Sequence, residues 1–443
     1  MKKIFLHIIL MVITATVYCQ NVYVVTKTTD PDPFTYKFDN IDSLCDPEMY
    51  GTLQWAINKV NNNTGESKIE FNIPGAGPHE IILNYYLPQI NNTTIIDGST
   101  QNGYSYANPQ IVINAQHKHK SIFDVYSTNI TIKGLKLTSF AQNGILLHEC
   151  SNSLITENII SNYSTISSKT SYTGIFINGC QNVEVYGNNI EVAVNPLTKS
   201  YGIYLSKSFN CTIGGTDVSM ANTINNCRNY VVFPSNSQQI KISGNIIFDC
   251  EKAIYLDSSN DNIQPPEISE YTNGILSGTA LPNSTIEVFG STGAENANEY
   301  LASVIADENG DWEVECYSSL GFITSLQYNF KNNSSELSLV IPIPIIDCDS
   351  INLKISGPFE AYPGDYLKYE CSGRPSSISS WTTSNQEVAQ INENGEVQCY
   401  SSGFTNIIYT DIHGCTTSNL LTIHENSDYE KHSVYVLVKD STI

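Results

Sequence analysis

The chain contains very little arginine and few positive charges. Its 443 residues include 22 lysines and arginines together, against 44 aspartates and glutamates, and the formal net charge is −22. Only Arg228 and Arg374 carry a guanidinium group. Because an acidic surface repels phosphate backbones, we expect no nucleic-acid partner. The scarcity of arginine also argues against a site that clamps polyanionic sugars through several guanidinium groups.

Long apolar segments are missing after the N-terminus. The opening MKKIFLHIILMVITATVYC combines two lysines with an apolar run from Ile4 to Val17, which is shorter than a membrane-spanning helix. We interpret residues 1–19 as a signal peptide, and a lipid-anchored Cys19 is the less favoured alternative. No other segment of the sequence predicts a transmembrane helix. The pattern therefore predicts a secreted, extracellular protein or one on a bacterial cell surface.

Metal-binding motifs are also scarce. His117 and His119 have the H-x-H spacing of a metal site on a strand, but no third ligand lies nearby in the sequence. We therefore expect a solvated loop there. No loop has the full ligand spacing of an EF-hand, although the acidic surface could bind Ca²⁺ diffusely. The sequence predicts no cofactor.

What the chain does have is a repeated pattern of short β-branched runs that end in Asn or Gly corners. Five segments in one frame begin at residues 121, 144, 174, 202 and 231. A repeat of this length is typical of one rung of a solenoid, in which stacked rungs form parallel sheets around a continuous core. Within one rung, the strand-like spacing of Ile145, Leu147, Ile155 and Ile160 predicts the buried positions.

Two columns of residues recur at the corners of the rungs. We assign a structural role to an asparagine column, because Asn tolerates a left-handed backbone and its amide can bond the equivalent amide one rung away. This column consists of Asn129, Asn152, Asn182 and Asn210. Cysteines form the second column, in which Cys150 matches Cys180 and Cys227 matches Cys250. Each pair predicts either a disulfide between adjacent rungs or two buried thiols, and both alternatives stay open.

The segments on either side of the repeats predict a cap and two further domains. GTLQWAINKVNNN has helical periodicity and predicts a short helix that covers the open end of the solenoid. Pro265 and Pro266 mark the end of the solenoid. The alternating strands that follow are typical of β-sandwiches, with Trp381 in the second core. The turn signal in DENGD favours a hairpin at Asp307 over a Ca²⁺ loop, and four later cysteines allow three disulfide pairings.

The predicted fold is all-β, with a parallel solenoid, a short N-terminal capping helix and two C-terminal β-sandwiches. We place the boundaries as follows: signal peptide 1–19, N-terminal cap 20–68, solenoid 69–264, first sandwich 265–344, second sandwich 345–425 and tail 426–443.

The order GTLQWAI, IEFNIPG, LPQI, IDGSTQNGY and CTIGGTDVSMANTI resembles a family of secreted right-handed parallel β-helix proteins in the pectate-lyase-like superfamily. Its members open with a Cys-Ser-Leu-Arg-Glu-Ala-like motif, from which this chain departs at Gln54 and Trp55. The resemblance covers residues 22–264. The segments around Trp312 and Trp381 resemble bacterial Ig-like modules, the second of them group-two modules. This resemblance implies a secreted or surface-exposed right-handed β-helix with Ig-like modules, and it implies no fixed catalytic set.

No catalytic set is evident in the sequence. Phrases similar to those of polygalacturonases and pectate lyases are absent. The nearest constellation lies at the ends of the repeated strands, where we place the following residues in one column: Val125, His148, Asn178, Ser206 and Asp257. His148 and Glu149 are candidates for an acid–base couple, with Asp257 several rungs away, although an ordinary polar edge is favoured. We expect Asn178 and Lys207 on a binding face, with Tyr104 and Tyr106 as aromatic platforms for sugars.

We predict a non-catalytic adhesion or glycan-recognition protein that presents a β-helix face on an Ig-like stalk. Its expected partner is a polysaccharide, a cell-surface glycan or a surface protein. The first alternative is a polysaccharide lyase or glycoside hydrolase of the pectate-lyase-like superfamily, which only the analogy of fold supports. The second alternative is a structural protein of a surface layer.

Overall fold

The computed structural model describes residues 20–164, 171–194, 198–227, 229–272, 274–344, 348–375 and 380–425. The segments that we interpret as signal peptide and tail, residues 1–19 and 426–443, lie outside these ranges. The chain divides into two compact units, with the boundary after Cys211.

The first unit contains one α-helix and many short strands. Its elements are β1 (Asn21–Val25), a 3₁₀ turn (Asp42–Leu44), α1 (Leu53–Asn61), β2 (Ser67–Phe71), β3 (His79–Ile82), β4 (Thr94–Asp97), a 3₁₀ turn (Gly98–Thr100), β5 (Ile111–Asn114), β6 (Ser121–Val125), β7 (Thr131–Lys133), β8 (Lys136–Thr138), β9 (Asn143–His148), β10 (Ser151–Thr156), β11 (Ile159–Ser164), β12 (Tyr172–Asn178), β13 (Gln181–Tyr186), β14 (Asn189–Val194), β15 (Ser200–Ser206) and the first residues of β16 (Phe209–Gly214), in which the boundary falls.

Each rung contributes one strand to each of three parallel sheets. The first sheet has the order β1-β2-β4-β7-β10-β13, the second β3-β5-β8-β11-β14 and the third β6-β9-β12-β15. Equivalent residues of successive rungs lie opposite one another, as Ile145 does with Ile175 and Ile155 with Val185. The four predicted core positions of one rung have no exposed surface, which confirms the strand spacing. The fold is therefore a parallel β-helix around one apolar core.

The frame that we predict for the rung at residue 121 is wrong by one residue in its first strand. Val125 of β6 lies opposite Leu147 of β9, not opposite His148. In the next strand, Thr131 lies opposite Leu154, as the frame predicts. The corner between these two strands is one residue shorter in the earlier rung, and this length difference shifts the register. Tyr126 therefore lies next to His148, with 5.0 Å between the ring centroids.

Helix α1 confirms the predicted short helix near the N-terminus. The Thr52 side chain accepts a hydrogen bond from the backbone N–H of Trp55 at 3.2 Å, which caps the first turn. The apolar side chains on one face are buried, among them Leu53, Ile57 and Val60. Parallel pairing begins with β1 and β2, so Asn21, which we assigned to the cap, already belongs to the first sheet.

Gln54 holds the cap to the chain around it. Its side chain is 1% exposed, and its amide donates to the Asp30 carboxylate and to the Pro31 carbonyl. Asp30 also accepts hydrogen bonds from the backbone N–H groups of Asn84 and Tyr85. Gln54, where the sequence departs from the Cys-Ser-Leu-Arg-Glu-Ala-like motif, therefore has two acceptors for its side-chain NH₂ group.

The second unit begins with further rungs. Its first elements are a 3₁₀ turn (Val218–Met220), β17 (Thr223–Asn225), β18 (Tyr230–Ser235), β19 (Gln238–Ser243), β20 (Ile246–Phe248), β21 (Lys252–Ile254) and a 3₁₀ turn (Asn260–Asn262). β17 pairs in parallel with β20, and β18 pairs with β21.

Two antiparallel sheets follow the Pro265–Pro266 pair and share one core. The strands are β22 (Glu267–Thr272), β23 (Ile275–Thr279), β24 (Thr285–Ser291), β25 (Glu299–Ile305), β26 (Asp311–Glu315), β27 (Phe322–Tyr328) and β28 (Ile341–Pro342). The sheets have the orders β22-β23-β26 and β25-β24-β27-β28. Leu276, Val288, Trp312 and Ile323 belong to the shared core, so this segment is a β-sandwich.

The Asp307 segment forms a tight turn, but the predicted hairpin is wrong, because the flanking strands β25 and β26 belong to different sheets. The Asp307 carboxylate accepts hydrogen bonds from the backbone N–H groups of Asn309 at 2.8 Å and Asp311 at 2.9 Å. Gly310 has a φ of +92°, which a residue with a side chain rarely adopts. These backbone hydrogen bonds lower the pKa of Asp307.

The last described segment is a second β-structure, antiparallel except where β30 pairs with β37 in parallel. Its elements are a 3₁₀ turn (Cys348–Ser350), β29 (Ile355–Ser356), β30 (Glu360–Ala361), β31 (Tyr366–Lys368), β32 (Glu370–Cys371), β33 (Trp381–Thr383), β34 (Ala389–Ile391), β35 (Glu396–Cys399), β36 (Gly403–Thr410) and β37 (Thr416–Ile423). The larger sheets have the orders β30-β37-β36-β33 and β31-β35-β34. Trp381 packs in their common core with Tyr369, Ile407 and Leu421, as predicted.

Among the described cysteines, two form a disulfide and the others are thiols. Cys348 bonds to Cys415, whereas Cys371 and Cys399 remain thiols. On the rungs, Cys150 and Cys180 are buried thiols, and the Cys150 backbone N–H donates to Cys180 Sγ at 3.3 Å.

The other predicted pair of cysteines also lies on adjacent rungs. The Cys227 thiol donates to the Asn225 carbonyl at 3.4 Å, and the Cys250 thiol donates to the Glu295 carbonyl at 3.2 Å. Burial raises the pKa of Cys250 to about 12. Of the two alternatives for the rung cysteines, the structure has the thiols.

Candidate functional site

The third sheet of the first unit carries an ordered set of side chains on its outer face. In β9, the buried residues Ile145 and Leu147 alternate with Leu146 and His148, which therefore point away from the core. The register of β9, β12 and β15 repeats this arrangement on three rungs. We call the resulting six residues the outer-face patch: Leu146, Phe176, Tyr204, His148, Asn178 and Ser206.

One column of the outer-face patch is apolar and largely aromatic. Leu146 lies opposite Phe176, and Phe176 lies opposite Tyr204. The rings of Phe176 and Tyr204 are stacked with 4.7 Å between centroids and 8° between planes. A further ring, that of Tyr201, lies 5.5 Å from Tyr204. The column therefore presents a half-buried aromatic surface at least two rungs long.

The second column of the patch consists of three polar side chains, an imidazole, an amide and a hydroxyl group. His148 lies opposite Asn178, and Asn178 lies opposite Ser206. Asn178 Nδ2 is 3.4 Å from His148 Nδ1. Each rung thus places one hydrogen-bonding side chain beside one apolar side chain. Because adjacent strands lie about 4.8 Å apart, the same pair of chemistries repeats at that interval.

Glu149 and Lys207 lie at the corner next to the patch. Both have a left-handed backbone, with φ of +53° and +50°. The Glu149 backbone N–H donates to the Asn178 carbonyl at 2.8 Å. Within the described residues, no hydrogen bond joins the side chains of His148 and Glu149. The structure thus places His148 on the patch and Glu149 beside it.

Asp257 belongs to the second unit. It pairs with Ser235 through an isolated parallel bridge, and its carboxylate accepts a hydrogen bond from Ser235 Oγ at 2.8 Å. The residue opposite Asp257 is thus Ser235, whose hydroxyl group is hydrogen-bonded to one oxygen of the Asp257 carboxylate.

Tyr104 and Tyr106 lie elsewhere in the first unit, in the segment between β4 and β5. Tyr104 Oη is 3.4 Å from the carboxylate of Glu157, a residue that follows β10 of the first sheet. Burial and the Glu157 charge raise the pKa of Tyr104, and burial raises the pKa of Tyr106. These tyrosines are therefore associated with the first sheet, whereas Asn178 belongs to the third.

The structure does not assemble a metal site from His117 and His119. His119 is 4% exposed, and its Nε2 lies 3.1 Å from the Leu83 carbonyl oxygen. The Tyr86 ring contacts the His119 ring at 4.6 Å between centroids. The expected solvated loop is therefore wrong for His119. In the described ranges, no group of three His, Cys, Asp or Glu residues is arranged to hold a metal ion.

The asparagine column forms a ladder along the corners of the rungs. Asn182 Nδ2 donates to Asn152 Oδ1 at 2.9 Å, and Asn210 Nδ2 donates to Asn182 Oδ1 at 2.7 Å. All four members, Asn129 included, have φ between +51° and +55°. The left-handed backbone that motivated the assignment is present at all four positions, and the hydrogen bonds between side-chain amides join Asn152, Asn182 and Asn210.

A second asparagine ladder lies inside the β-helix, and we did not predict it. Asn158 Nδ2 donates to Asn188 Oδ1 at 3.1 Å in the first unit, and Asn222 Nδ2 donates to Asn245 Oδ1 at 2.9 Å in the second. All four side chains are buried. The sequence signal is the Asn that precedes each short Ile-rich or Val-rich run.

The aromatic column was also missed by the sequence analysis, which singled out only the polar residues of this sheet. The signal that could have found it is the alternation in GIFING and GIYLSK, where an aromatic residue stands between two buried aliphatic residues. No helix in the part of the chain that the structure describes is long and apolar enough to cross a membrane.

A known family matches part of the chain. The family described as Right handed beta helix region matches residues 111–265. The fold of the repeats is therefore a right-handed parallel β-helix. No curated protein matches the chain.

Several solved structures are similar to parts of the chain. The enzymatically active domain of tailspike protein 2 from bacteriophage CBA120 is 10% identical, with 82% of this chain and 62% of that chain covered and a TM-score of 0.25. The pectin methylesterase from Aspergillus niger is 10% identical, with coverages of 51% and 88% and a TM-score of 0.23. A C-terminal fragment of intimin, in complex with the intimin-binding domain of its translocated receptor, is 16% identical, with coverages of 37% and 64% and a TM-score of 0.14. The chain thus spans less than two thirds of the tailspike domain, and we infer its function from its own residues.

Proposed function

We propose that the protein recognises a polysaccharide or a cell-surface glycan along the outer-face patch of its β-helix. The observation that carries this proposal is the register of two columns, in which an apolar or aromatic residue stands beside a hydrogen-bonding residue on three successive rungs. Ligand sites typically combine apolar and aromatic walls with a few polar groups that fix orientation.

The chemistry of the patch suits a sugar chain. A sugar ring has an apolar face formed by C–H groups, which packs on an aromatic ring, and equatorial hydroxyl groups, which exchange hydrogen bonds at its edge. The stacked Phe176 and Tyr204 rings supply the first surface. His148 and Asn178 supply the second. A repeating polymer would meet the same pair of groups on each rung.

The charge of the protein favours a ligand without a high negative charge. The net charge is −22, and no arginine belongs to the patch. A polyanionic chain would be repelled by this field and would find no guanidinium group to bind it. We therefore favour neutral or weakly acidic polysaccharides.

Presentation at the cell surface completes the proposal. The N-terminal sequence supports export, and the two C-terminal sandwiches support a stalk of Ig-like modules. In this view the β-helix binds the glycan, and the sandwiches act as a spacer between the β-helix and the cell surface.

The first test is retention of residues 20–443 on a panel of neutral and uronic polysaccharides, measured by affinity gel electrophoresis. We expect retention on at least one neutral polymer. Phe176→Ala and Asn178→Ala should each raise the dissociation constant by about tenfold, since one lost ring contact or hydrogen bond is worth roughly 1–1.5 kcal/mol. Tyr163→Ala is the matched control, because Tyr163 is an exposed aromatic residue on the second sheet. Equal retention of all variants would contradict the proposal.

The enzymatic alternative is tested on the same panel by following new reducing ends and unsaturated products, with and without Ca²⁺. Turnover that His148→Ala or Glu149→Ala abolishes would replace recognition by catalysis. Binding without turnover would support the proposal.

A further inference from the structure

The second sandwich carries a set of exposed or half-buried neutral side chains on the outer face of its three-stranded sheet. Tyr366 of β31, Gln398 of β35 and Gln390 of β34 lie opposite one another across the sheet. Their strand neighbours Val397, Cys399 and Ala389 are buried in the core, so these three side chains point outward. Tyr400 follows Gln398 at the next outward position. We call Tyr366, Gln390, Gln398 and Tyr400 the tyrosine–glutamine patch.

Hydrogen bonds hold this patch in one arrangement. Gln398 Nε2 donates to Tyr366 Oη at 2.9 Å, and Tyr400 Oη lies 3.1 Å from Gln398 Oε1 and 3.3 Å from Gln390 Oε1. The two rings are thereby fixed relative to the two amides without burial. Tyr366 is 76% exposed and Tyr400 is 45% exposed, which leaves both rings accessible.

Donors remain available on the patch. Tyr366 Oη accepts from Gln398, so its own hydrogen is not used in that bond, and Gln390 is bonded through its oxygen. In the described part of the chain, the Tyr366 hydroxyl hydrogen and the Gln390 amide hydrogens meet no protein acceptor. The patch therefore combines two ring surfaces with outward N–H and O–H donors.

The patch is neutral within an acidic protein. Two charged residues on the same face, Lys368 and Glu396, lie opposite each other at one end of the patch. Lys368 Nζ donates to the Asn394 carbonyl at 2.6 Å, and the Glu396 carboxylate accepts from Asn392 Nδ2 at 2.8 Å. Both charges are thus engaged locally, and the centre of the patch is left to uncharged groups. Rigid tyrosines with adaptable amides are a combination that gives contact area at low entropic cost.

We infer that the tyrosine–glutamine patch is a second sugar-binding site, independent of the outer-face patch, and that its ligand is a neutral oligosaccharide. The exposed rings of Tyr366 and Tyr400 pack on pyranose faces, and the amides of Gln390 and Gln398 bond the ring hydroxyls. This inference goes beyond the proposed function and does not rest on it, because the two patches share no residue.

The test uses residues 20–443 carrying Phe176→Ala, so that failure of the outer-face patch and failure of this site are distinguishable. The probes are neutral hexasaccharides of the cello-, manno-, xylo- and N-acetylchito- series, with a hexamer of galacturonic acid for comparison. Binding is measured by isothermal titration calorimetry. We expect at least one neutral hexasaccharide to bind, and the galacturonic acid hexamer not to bind.

Variants then assign the binding to the patch. Tyr366→Ala should weaken binding at least about tenfold, which is the effect of losing roughly one ring contact, and Tyr366→Phe should weaken it only severalfold. Phe404→Ala is the matched control, because Phe404 is a 68% exposed aromatic residue on the other sheet of this sandwich. Thermal unfolding of each variant verifies folding, which an exposed side chain should leave unchanged. Absence of neutral binding in the Phe176→Ala background, or equal effects of Tyr366→Ala and Phe404→Ala, would overturn the inference.

Discussion

At the scale of single residues, the corners of the β-helix depend on asparagine in two ways. The left-handed backbone of the column favours a residue that tolerates positive φ. Hydrogen bonds between the side-chain amides of Asn152 and Asn182, and of Asn182 and Asn210, join three rungs. Asn182 is the middle member, which both donates and accepts. It is therefore the position at which the ladder is most sensitive to substitution.

We predict that Asn182→Ala lowers the free energy of unfolding by about 1–3 kcal/mol, because alanine is strained in the left-handed region and both side-chain hydrogen bonds are lost. Asn182→Gly is the control, because it keeps the backbone freedom and removes only the ladder, so its loss should be smaller. Urea unfolding followed by circular dichroism measures both. Equal losses for alanine and glycine would mean that backbone strain contributes nothing at this corner.

The cysteines show a different effect at the same scale. Cys150 and Cys180 lie one above the other because their rungs stack, and the Cys150 backbone N–H donates to the Cys180 sulfur. A stacked position thus places each thiol against the backbone of the preceding rung, where it acts as a small buried side chain.

At the scale of elements, Glu287 connects β24 of the first sandwich to the corner after β19, and both belong to the second unit. Its side chain has no exposed surface, and its carboxylate accepts hydrogen bonds from Ser243 Oγ at 2.5 Å and from the Gly244 N–H at 2.8 Å. Burial raises the pKa of Glu287 above its ordinary value of 4.5, and the two hydrogen bonds oppose this rise only partly.

The raised pKa of Glu287 predicts a pH-dependent stability. A carboxyl group whose folded pKa is raised stabilises the fold below its unfolded pKa, and this contribution is lost as the pH rises through the folded pKa. We therefore expect the wild type to lose stability relative to Glu287→Gln as the pH rises above 4.5, where the unfolded chain ionises.

Urea unfolding at a series of pH values measures this difference. Glu313→Gln, at an exposed position of β26 in the same sandwich, is the matched control and should follow the wild type. Parallel pH profiles for wild type and Glu287→Gln would contradict the assignment of a raised pKa to Glu287.

At the scale of the whole molecule, the chain carries several separate cores. The first sandwich is built around Leu276, Val288 and Trp312, and the second around Tyr369, Trp381 and Ile407. The chain has three tryptophans, one in the cap helix and one in each sandwich core. The fluorescence of each therefore reports on a different part of the chain.

We predict that the paired substitution Cys348→Ser and Cys415→Ser destabilises the second sandwich alone. The disulfide closes a loop with a sequence separation of 67, and constraint of an unfolded loop of that length is worth about 4 kcal/mol. Differential scanning calorimetry should show one transition moved to lower temperature while the others stay. Cys371→Ser, which removes a thiol of the same segment, is the control. A joint shift of all transitions would show that the sandwich does not unfold as its own unit.

The parts of this protein that could be predicted from its amino-acid order are those whose signals are local and periodic. The rung repeat, the buried positions at Ile145 and Ile155, the cap helix and the Trp381 core could be predicted because each follows from short-range alternation, capping or corner chemistry. The left-handed corners of the asparagine column follow for the same reason. Stacking then multiplies one local pattern along the whole solenoid, and this repetition makes the fold easier to predict than the site.

The features that depend on how separate segments meet could not be predicted from the sequence and became clear only in three dimensions. Because one corner is a residue shorter, Val125 lies opposite Leu147 and not opposite His148. A shift of one residue in register thus changes which side chains share a column. The choice of Cys348–Cys415 among three pairings, the burial of Glu287 and the stacking of Phe176 on Tyr204 all join residues from different rungs or strands. Such contacts are set by packing in three dimensions, which the order of residues along one strand does not contain.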